Sequence, residues 1–326
     1  MSDMREITYA QAIREAIASE MRRDESVILL GEDIGVYGGS FHVLEGLFDE
    51  FGCERMLETP IAEEGFTGVA IGAALTGSRP IVEFMFSDFL AVAMDQIVNQ
   101  AAKYRFMFGG VGSVPLVIRT PGGSGTGAAA QHSQSLEAWF THIPGLKVVA
   151  PSNGYDAKGL LISAIRDPNP VLFFEQKTLY PSKSVVPEES YAIPLGEAHI
   201  LSEGDELTIV SYGRMVGMVL ECLSFFPRKI ELIDLRTLSP LDMATVHASV
   251  RKTGGLLIVH EAVKNGGIGA EVSARVAEDQ ETFNSLKSPI RRVCGKDVPI
   301  PFAKKLEAAA VPNEEDIRKA IAEFLQ

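Results

Sequence analysis

Residues 58–86 read ETPIAEEGFTGVAIGAALTGSRPIVEFMF, and this stretch decides the fold. The segment from Glu63 to Leu75 is rich in small and apolar residues and predicts a helix. The segment from Arg79 to Phe86 is a short apolar run without alternation, as in a parallel strand buried on both faces. Two adjacent acids, Glu63 and Glu64, open the helix. Carboxylates favour the positive end of a helix dipole, which is the plain explanation for both. A buried Glu, however, is costly unless it is paired, hydrogen-bonded or neutral, so whichever acid faces inward needs a reason to be there.

The same alternation extends in both directions. SVILLGED, VPLVIRT, LKVVAPS and PVLFFE are further runs of strand length, interleaved with the helical candidates DFLAVAMDQIVNQAAKYRFMF, SQSLEAWF and GYDAKGLLISAIRD. Near the start, Thr8 and Gln11 form a capping-box pattern ahead of Ile13, Ile17 and Met21, one buried stripe. Around residues 175–194 the periodicity lapses and prolines and charges gather, so a domain boundary is expected there. Beyond it ELTIVSYG, KIELIDLR, GLLIVHEA and IRRVCG repeat the strand theme, with helices at DMATVHASVRKT, GIGAEVSARVAED and NEEDIRKAIAEFL. The expectation is an α/β protein of two doubly wound domains: residues 1–180, a linker at 181–194, and residues 195–326.

A chain of 326 residues exceeds the ~250 to 300 at which single cores stop growing, which agrees with two domains. Its net charge of -13, with no block of Lys or Arg, argues against nucleic acid or anionic membranes as partners. Cys53, Cys222 and Cys294 are scattered, with no zinc or redox spacing. The opening MSDMREITYAQ carries neither an apolar signal core nor an Arg-rich leader, and a cytoplasmic location is expected.

One loop stands out. RTPGGSGTGAAAQHSQ follows a strand, and Gly125, Gly127 and Ala130 fit the dinucleotide pattern G-x-G-x-x-A. The context is wrong for it, because the next strand ends in Pro151 and Ser152 where an acid is needed. Thr126 likewise breaks the nucleophile elbow G-x-S-x-G. What remains is a flexible loop that lets backbone approach a ligand or another chain closely. His132, at its end, is polar in context and lies where α/β folds keep their sites. His42, His142, His199, His247 and His260 have no such setting and read as structural or surface residues.

Taken in series, GEDIGVYGG, ETPIAEEGFTGVAIGAALTG, EFMFSDFLAVAMDQIVNQAAKYRFM, GTGAAAQHSQSLEAWFTHIPGLKVVAPS, DAKGLLISAIRDPNPVLFFE and DLRTLSPLD resemble the β subunit of thiamine-diphosphate-dependent 2-oxoacid dehydrogenases. The resemblance runs from about residue 5 to the C-terminus and covers the pyruvate, branched-chain and acetoin types. It implies a transketolase-like fold with an N-terminal pyrimidine-binding domain and a transketolase-type C-terminal domain. It also implies an α₂β₂ heterotetramer, in which the α subunit holds the diphosphate and Mg²⁺, docked on a lipoyl acyltransferase core and acting on a 2-oxoacid. No Gly-Asp-Gly motif for Mg²⁺ occurs here, since Glu206 breaks EGDEL.

By position, the resemblance puts the functional acid on Glu63. There it would hydrogen-bond a ring nitrogen of the aminopyrimidine and promote the imino tautomer; burial would raise its pKa in the required direction. Met85 and Phe89 match pyrimidine-pocket residues, and His132 matches the histidine on the lipoyl route that aids acyl transfer. Leu116, Ala164, Ile165, Asp167 and Asn169 match carbonyl ligands of a potassium ion; an ordinary helix end is the plainer reading of these residues. Three departures are visible: Ala62 stands where Ser is frequent, Glu64 stands where a small or apolar residue is common, and ECLSFFPRKIELIDLR is short between helix and strand. The competing classes are a non-catalytic assembly subunit, opposed by the presence of both Glu63 and His132, and a nicotinamide dehydrogenase.

Overall fold

The computed structural model describes residues 4–227 and 229–325. The chain divides into two compact units, one of residues 1–122 and 139–195, the other of residues 123–138 and 196–326.

In the first unit the strands lie in the order Lys147–Val149, Val171–Gln176, Val117–Gly122, Arg79–Glu83, Val27–Gly31 and Met56–Glu58, all parallel. Val27 pairs with Arg79, and Ile81 with Val117, which brings the carboxyl ends of these strands to one edge. That edge is where open α/β sheets keep their sites. Helices Tyr9–Arg23 and Gly154–Arg166 pack against the sheet through Ile13, Ile17, Leu161 and Ile165, which share one core with Leu29, Ile81 and Phe173. The expected capping box is formed: Gln11 N–H donates to Thr8 Oγ1 at 3.1 Å, and Thr8 N–H to Gln11 Oε1 at 2.8 Å.

The second unit holds a five-stranded sheet in the order Arg291–Gly295, Leu256–Val263, Leu207–Ser211, Ile230–Asp234 and His199–Ser202, parallel except for the last strand. Its core joins Val216 and Val219 of helix Arg214–Leu223 to Ile317 and Ile321 of helix Glu314–Phe324, the docking stripe read from the sequence.

Local departures have local causes. The single helix expected from DFLAVAMDQIVNQAAKYRFMF is not uniform: a 3₁₀ turn Ser87–Ala91 comes first, and a π-helical stretch Gln96–Ala101 then runs directly into the α-helix Ala102–Met107. Asp95 accepts from both Asn99 and Gln100, and the second contact has the i,i+5 spacing of the wider turn. Inside the segment that read as irregular, Lys183–Pro187 forms a strand antiparallel to Met4–Thr8, with Val186 buried and Lys183 outward. Flanking prolines and charges hide so short an edge strand from pattern reading. The shortened segment ECLSFFPRKIELIDLR includes Arg228, which lies outside the described residues.

Candidate functional site

Helix Glu63–Leu75 begins where expected, and its first residue is the acid that faces inward. Glu63 is 8% exposed, whereas Glu64 is exposed and accepts from Gln96 Nε2 at 3.4 Å. Ala62, the residue before the helix, has no side-chain cap to offer, so the first turn is held differently. Thr67 Oγ1 donates to the Glu63 carbonyl at 2.6 Å, and the carboxylate of Glu32, just past the strand Val27–Gly31, accepts the Ala62 N–H.

Glu32 is the residue at this site that sequence reading missed. Burial pushes its carboxyl up to about 7, and the nearby charges of Glu63 and Asp33 push in the same direction. Its Oε1 is buried without a hydrogen-bond partner among the described residues. The signal was available in GEDIGVYGG, where an acid directly follows a fully apolar strand. Close by in sequence, Asp33, Tyr37, Ser40 and Met85 line a cavity of about 390 Å³. Met85 and Phe89 are half-buried, and Phe89 stands edge-on to Phe86 with centroids 5.7 Å apart. The cavity's own wall, with Tyr37 and Met85 beside the polar Asp33 and Ser40, suits a flat heterocycle with polar edges; Glu32, Glu63 and Phe89 are not among its lining residues.

Beneath the carboxyl ends of the strands lies a second feature that pattern reading did not reveal. Arg119 is fully buried and grips Glu175 with two bonds of 2.8 and 2.7 Å, and it also contacts Glu83. Tyr180 OH donates to Glu175 Oε2 at 2.7 Å, and burial together with the Glu175 charge holds its phenol well above the usual range. Gly39, at φ +82°, passes so close that a Cβ there would stand 2.4 Å from Glu83 Oε1. Such a network is rigid because loss of any member strands a buried charge.

In the second unit, the glycine-rich loop is closed at its base by Gly123 N–H donating to the Gln134 carbonyl at 3.1 Å. Gly123, Gly125 and Gly127 take positive φ, and so does Ala129, at +66°. His132 is half-buried on this loop. Glu137, just beyond the loop, is pushed up to about 7 by burial, with the nearby Glu261 charge adding to the shift. The structure therefore groups Glu63 and Met85 in one unit and His132 in the other.

The five residues of the expected potassium site also lie in the first unit. Arg79 Nη1 donates to the carbonyls of Ile165 at 2.8 Å and Asp167 at 3.3 Å. The Leu116 carbonyl accepts from Val171 N–H at 2.9 Å and the Ala164 carbonyl from Asp167 N–H at 3.2 Å, while Asn169 Oδ1 accepts from Arg105 at 3.1 Å. The Ile165 and Asp167 carbonyls thus already face a cation, the Arg79 guanidinium. No group of three or more His, Cys, Asp or Glu able to hold a metal assembles among the described residues.

Comparison with known proteins agrees with the two-unit α/β fold. Residues 5–183 match the family described as transketolase, pyrimidine binding domain, and residues 196–317 match transketolase, C-terminal domain. The chain is 50% identical over 329 residues to the acetoin:2,6-dichlorophenolindophenol oxidoreductase subunit beta of Cupriavidus necator, covering 97% of this chain and 96% of that one. It is 46% identical over 319 residues to the pyruvate dehydrogenase E1 component subunit beta of Rickettsia felis, covering 97% of each. A mitochondrial pyruvate dehydrogenase E1 component subunit beta-2 of Oryza sativa is 46% identical over 323 residues, covering 97% of this chain and 85% of that one. Among solved structures, a split-gene transketolase in an inactive beta4 tetramer superposes with a TM-score of 0.80 over 98% of each chain, at 22% identity, a likeness of fold.

Proposed function

This chain belongs to the family of transketolase-type β subunits that includes those of the pyruvate dehydrogenase E1 component and of acetoin oxidoreductase, and from that membership we propose that it supplies the aminopyrimidine side of a thiamine-diphosphate site in a pyruvate dehydrogenase-type 2-oxoacid decarboxylase. The observation that carries this reading is the division of labour between the paired acids: Glu63 is buried at the first turn of its helix and Glu64 faces solvent.

Thiamine diphosphate, when bound, supplies the electron sink that lets a 2-oxoacid lose CO₂. The protein's own groups do the rest. Glu63 would hydrogen-bond a ring nitrogen of the aminopyrimidine. Glu32, with its carboxyl pushed up to about 7, keeps a proton near neutral pH, so the pair carries less than two full charges there. Phe89 and Met85 offer an apolar wall and exclude water from the ring. His132 serves the acceptor side, moving a proton as the acyl group passes to a lipoyl arm.

The diphosphate and Mg²⁺ fall to an α subunit, in an α₂β₂ heterotetramer docked on a lipoyl acyltransferase core in the cytoplasm. No helix among the described residues is long and apolar enough to cross a membrane. Potassium, held by the carbonyls around residues 164–169 and by that of Leu116, would stiffen the turn after helix Gly154–Arg166. An acetoin substrate is the second reading, favoured by the 50% identity to the Cupriavidus necator subunit. Co-expression with the α subunit, followed by a panel of pyruvate, branched-chain 2-oxoacids and acetoin with an artificial electron acceptor, decides between them. Activity with none of these would overturn the reading.

A further inference from the structure

The glycine-rich loop that mimics a phosphate cradle in sequence already holds an anion, and that anion is one of the chain's own side chains. Gly125 N–H donates to Glu307 Oε1 at 2.7 Å, and Gly127 N–H reaches Oε1 at 3.2 Å and Oε2 at 3.1 Å. Glu307 is buried, although it comes from helix Lys304–Ala310, far along the chain. The amide between these glycines and the strand is held in the same way: Ser124 N–H donates to Glu261 Oε1 at 2.5 Å. Glu261 is in turn paired with Arg214, whose Nη2 donates to Ser124 Oγ at 3.0 Å. Successive backbone amides that converge on a carboxylate form a nest, and charge-assisted bonds of this kind are about twice as strong as neutral ones. Glycines at φ +104° and +69° allow the approach, because L side chains rarely adopt such backbone angles.

Glu261, Arg214 and Ser124 lie at the carboxyl ends of strands Leu256–Val263 and Leu207–Ser211. There the strand order turns back on itself, which is where a doubly wound sheet would ordinarily bind a ligand. This unit uses that crevice to hold its own loop. We infer that Glu307 is a positioning residue: through the amides of Gly125 and Gly127 it fixes the loop that presents His132, and it thereby governs acyl transfer to lipoyl rather than decarboxylation. This inference rests on the functional reading of His132 given above.

The test uses the αβ holoenzyme carrying Glu307→Gln, with Glu307→Asp as the conservative variant. Two activities are measured: pyruvate oxidation with an artificial acceptor, which needs no lipoyl group, and reductive acylation of a free lipoyl domain. In Glu307→Gln one acceptor oxygen becomes an N–H₂ that opposes the glycine amides. Acylation is expected to fall about 10-fold or more while the artificial-acceptor rate stays within about 2-fold, since a displacement of ~1 Å at a reacting group can cost ~100-fold. Glu307→Asp should restore part of the loss. A parallel fall in both activities, or a fall in neither, overturns the inference. Hydrogen exchange on the unmutated holoenzyme provides an arm that does not depend on any variant folding: free exchange at the Gly125 and Gly127 amides also overturns it. If the unmutated holoenzyme acts on no substrate in the panel, the functional reading fails, and the exchange result alone decides whether Glu307 holds the loop.

Discussion

Glu32 and Glu63 lie in each other's electric field, one at the end of a buried strand and the other at the start of the helix that leads to the next strand. The strand end and the helix start are tied together by the Ala62 N–H that Glu32 accepts. The nearby charge of Glu63 therefore adds to the cost of charging Glu32, on top of the larger cost of its burial.

Replacing Glu63 by Gln should remove decarboxylation by the αβ assembly, with a loss of about 100-fold or more, while assembly itself survives. Glu64→Gln should change the rate less than about 2-fold, as expected for an exposed side chain. Steady-state rates alongside size-exclusion profiles check both, and near-normal turnover by Glu63→Gln would sink the assignment. In the same variant the Glu32 carboxyl should titrate below 7, because one of its charged neighbours is gone; carboxyl NMR reads this directly.

The buried Glu137 makes stability depend on pH in a defined direction. Its folded-state pKa of about 7 lies above the ordinary carboxyl value of 4.5, so the native state binds the extra proton. The resulting stabilisation relative to an ionised buried group is complete below about 4.5 and is lost as the pH rises through 7. Glu137→Gln, a neutral mimic, should therefore gain on the parent protein by roughly 3 kcal/mol between acid and mildly alkaline conditions. Urea midpoints measured at several pH values test this; a difference that stays flat with pH would contradict it.

Arg119→Met should destabilise the first unit by about 3 to 5 kcal/mol, because Glu83 and Glu175 would be left buried beside each other without their counter-charge. Replacing all three residues with apolar ones of similar volume should recover much of the loss. Thermal or denaturant melts of the single and triple variants provide the comparison, and a triple variant as unstable as the single one would argue against this account.

The three cysteines should react in a fixed order. Cys53 is exposed, whereas burial pushes the Cys294 thiol up to about 11 and raises that of Cys222 as well. Cys294 also lies 3.4 Å from Nε2 of the buried His260, whose Nδ1 is 3.0 Å from the Ala262 carbonyl. His260 is itself held near 4 by burial, so it does not draw the thiol into its reactive form. Alkylation at mildly alkaline pH followed by peptide mass spectrometry should find Cys53 modified first; prior labelling of Cys294 would show that the pair is reactive.

If the carbonyls around residues 164–169 do take up a potassium ion, the melting temperature should rise with potassium concentration at constant ionic strength and not with sodium. The expected gain is small, about 1 to 3 kcal/mol at saturation, because those carbonyls already accept from Arg79 and from backbone amides. Equal melting curves in the two salts would remove the ion from this reading.

Much of this architecture is legible in the amino-acid order. Apolar runs such as VILLG and VLFFE mark the parallel strands because strands buried on both faces need no alternation. Thr8 with Gln11, and the stripe of Ile317 and Ile321, mark helices whose ends and buried faces are set by neighbours in sequence. Less legible are elements that depend on distant partners. Lys183–Pro187 becomes a strand only because Met4–Thr8 lies beside it.

By itself, then, the sequence determined that this is a two-unit α/β protein, that an acid of the Glu63–Glu64 pair enclosed in an apolar setting needs a reason to be there, and that a glycine loop must let backbone approach something closely. Only the tertiary structure decided which acid is enclosed, that Glu32 shares its field, and that the loop's amides close on Glu307. The physical reason is common to all three. Periodicity and turn chemistry are local and can be read along the chain, whereas burial, electrostatic coupling and the partner of a buried amide depend on residues that sequence order keeps far apart.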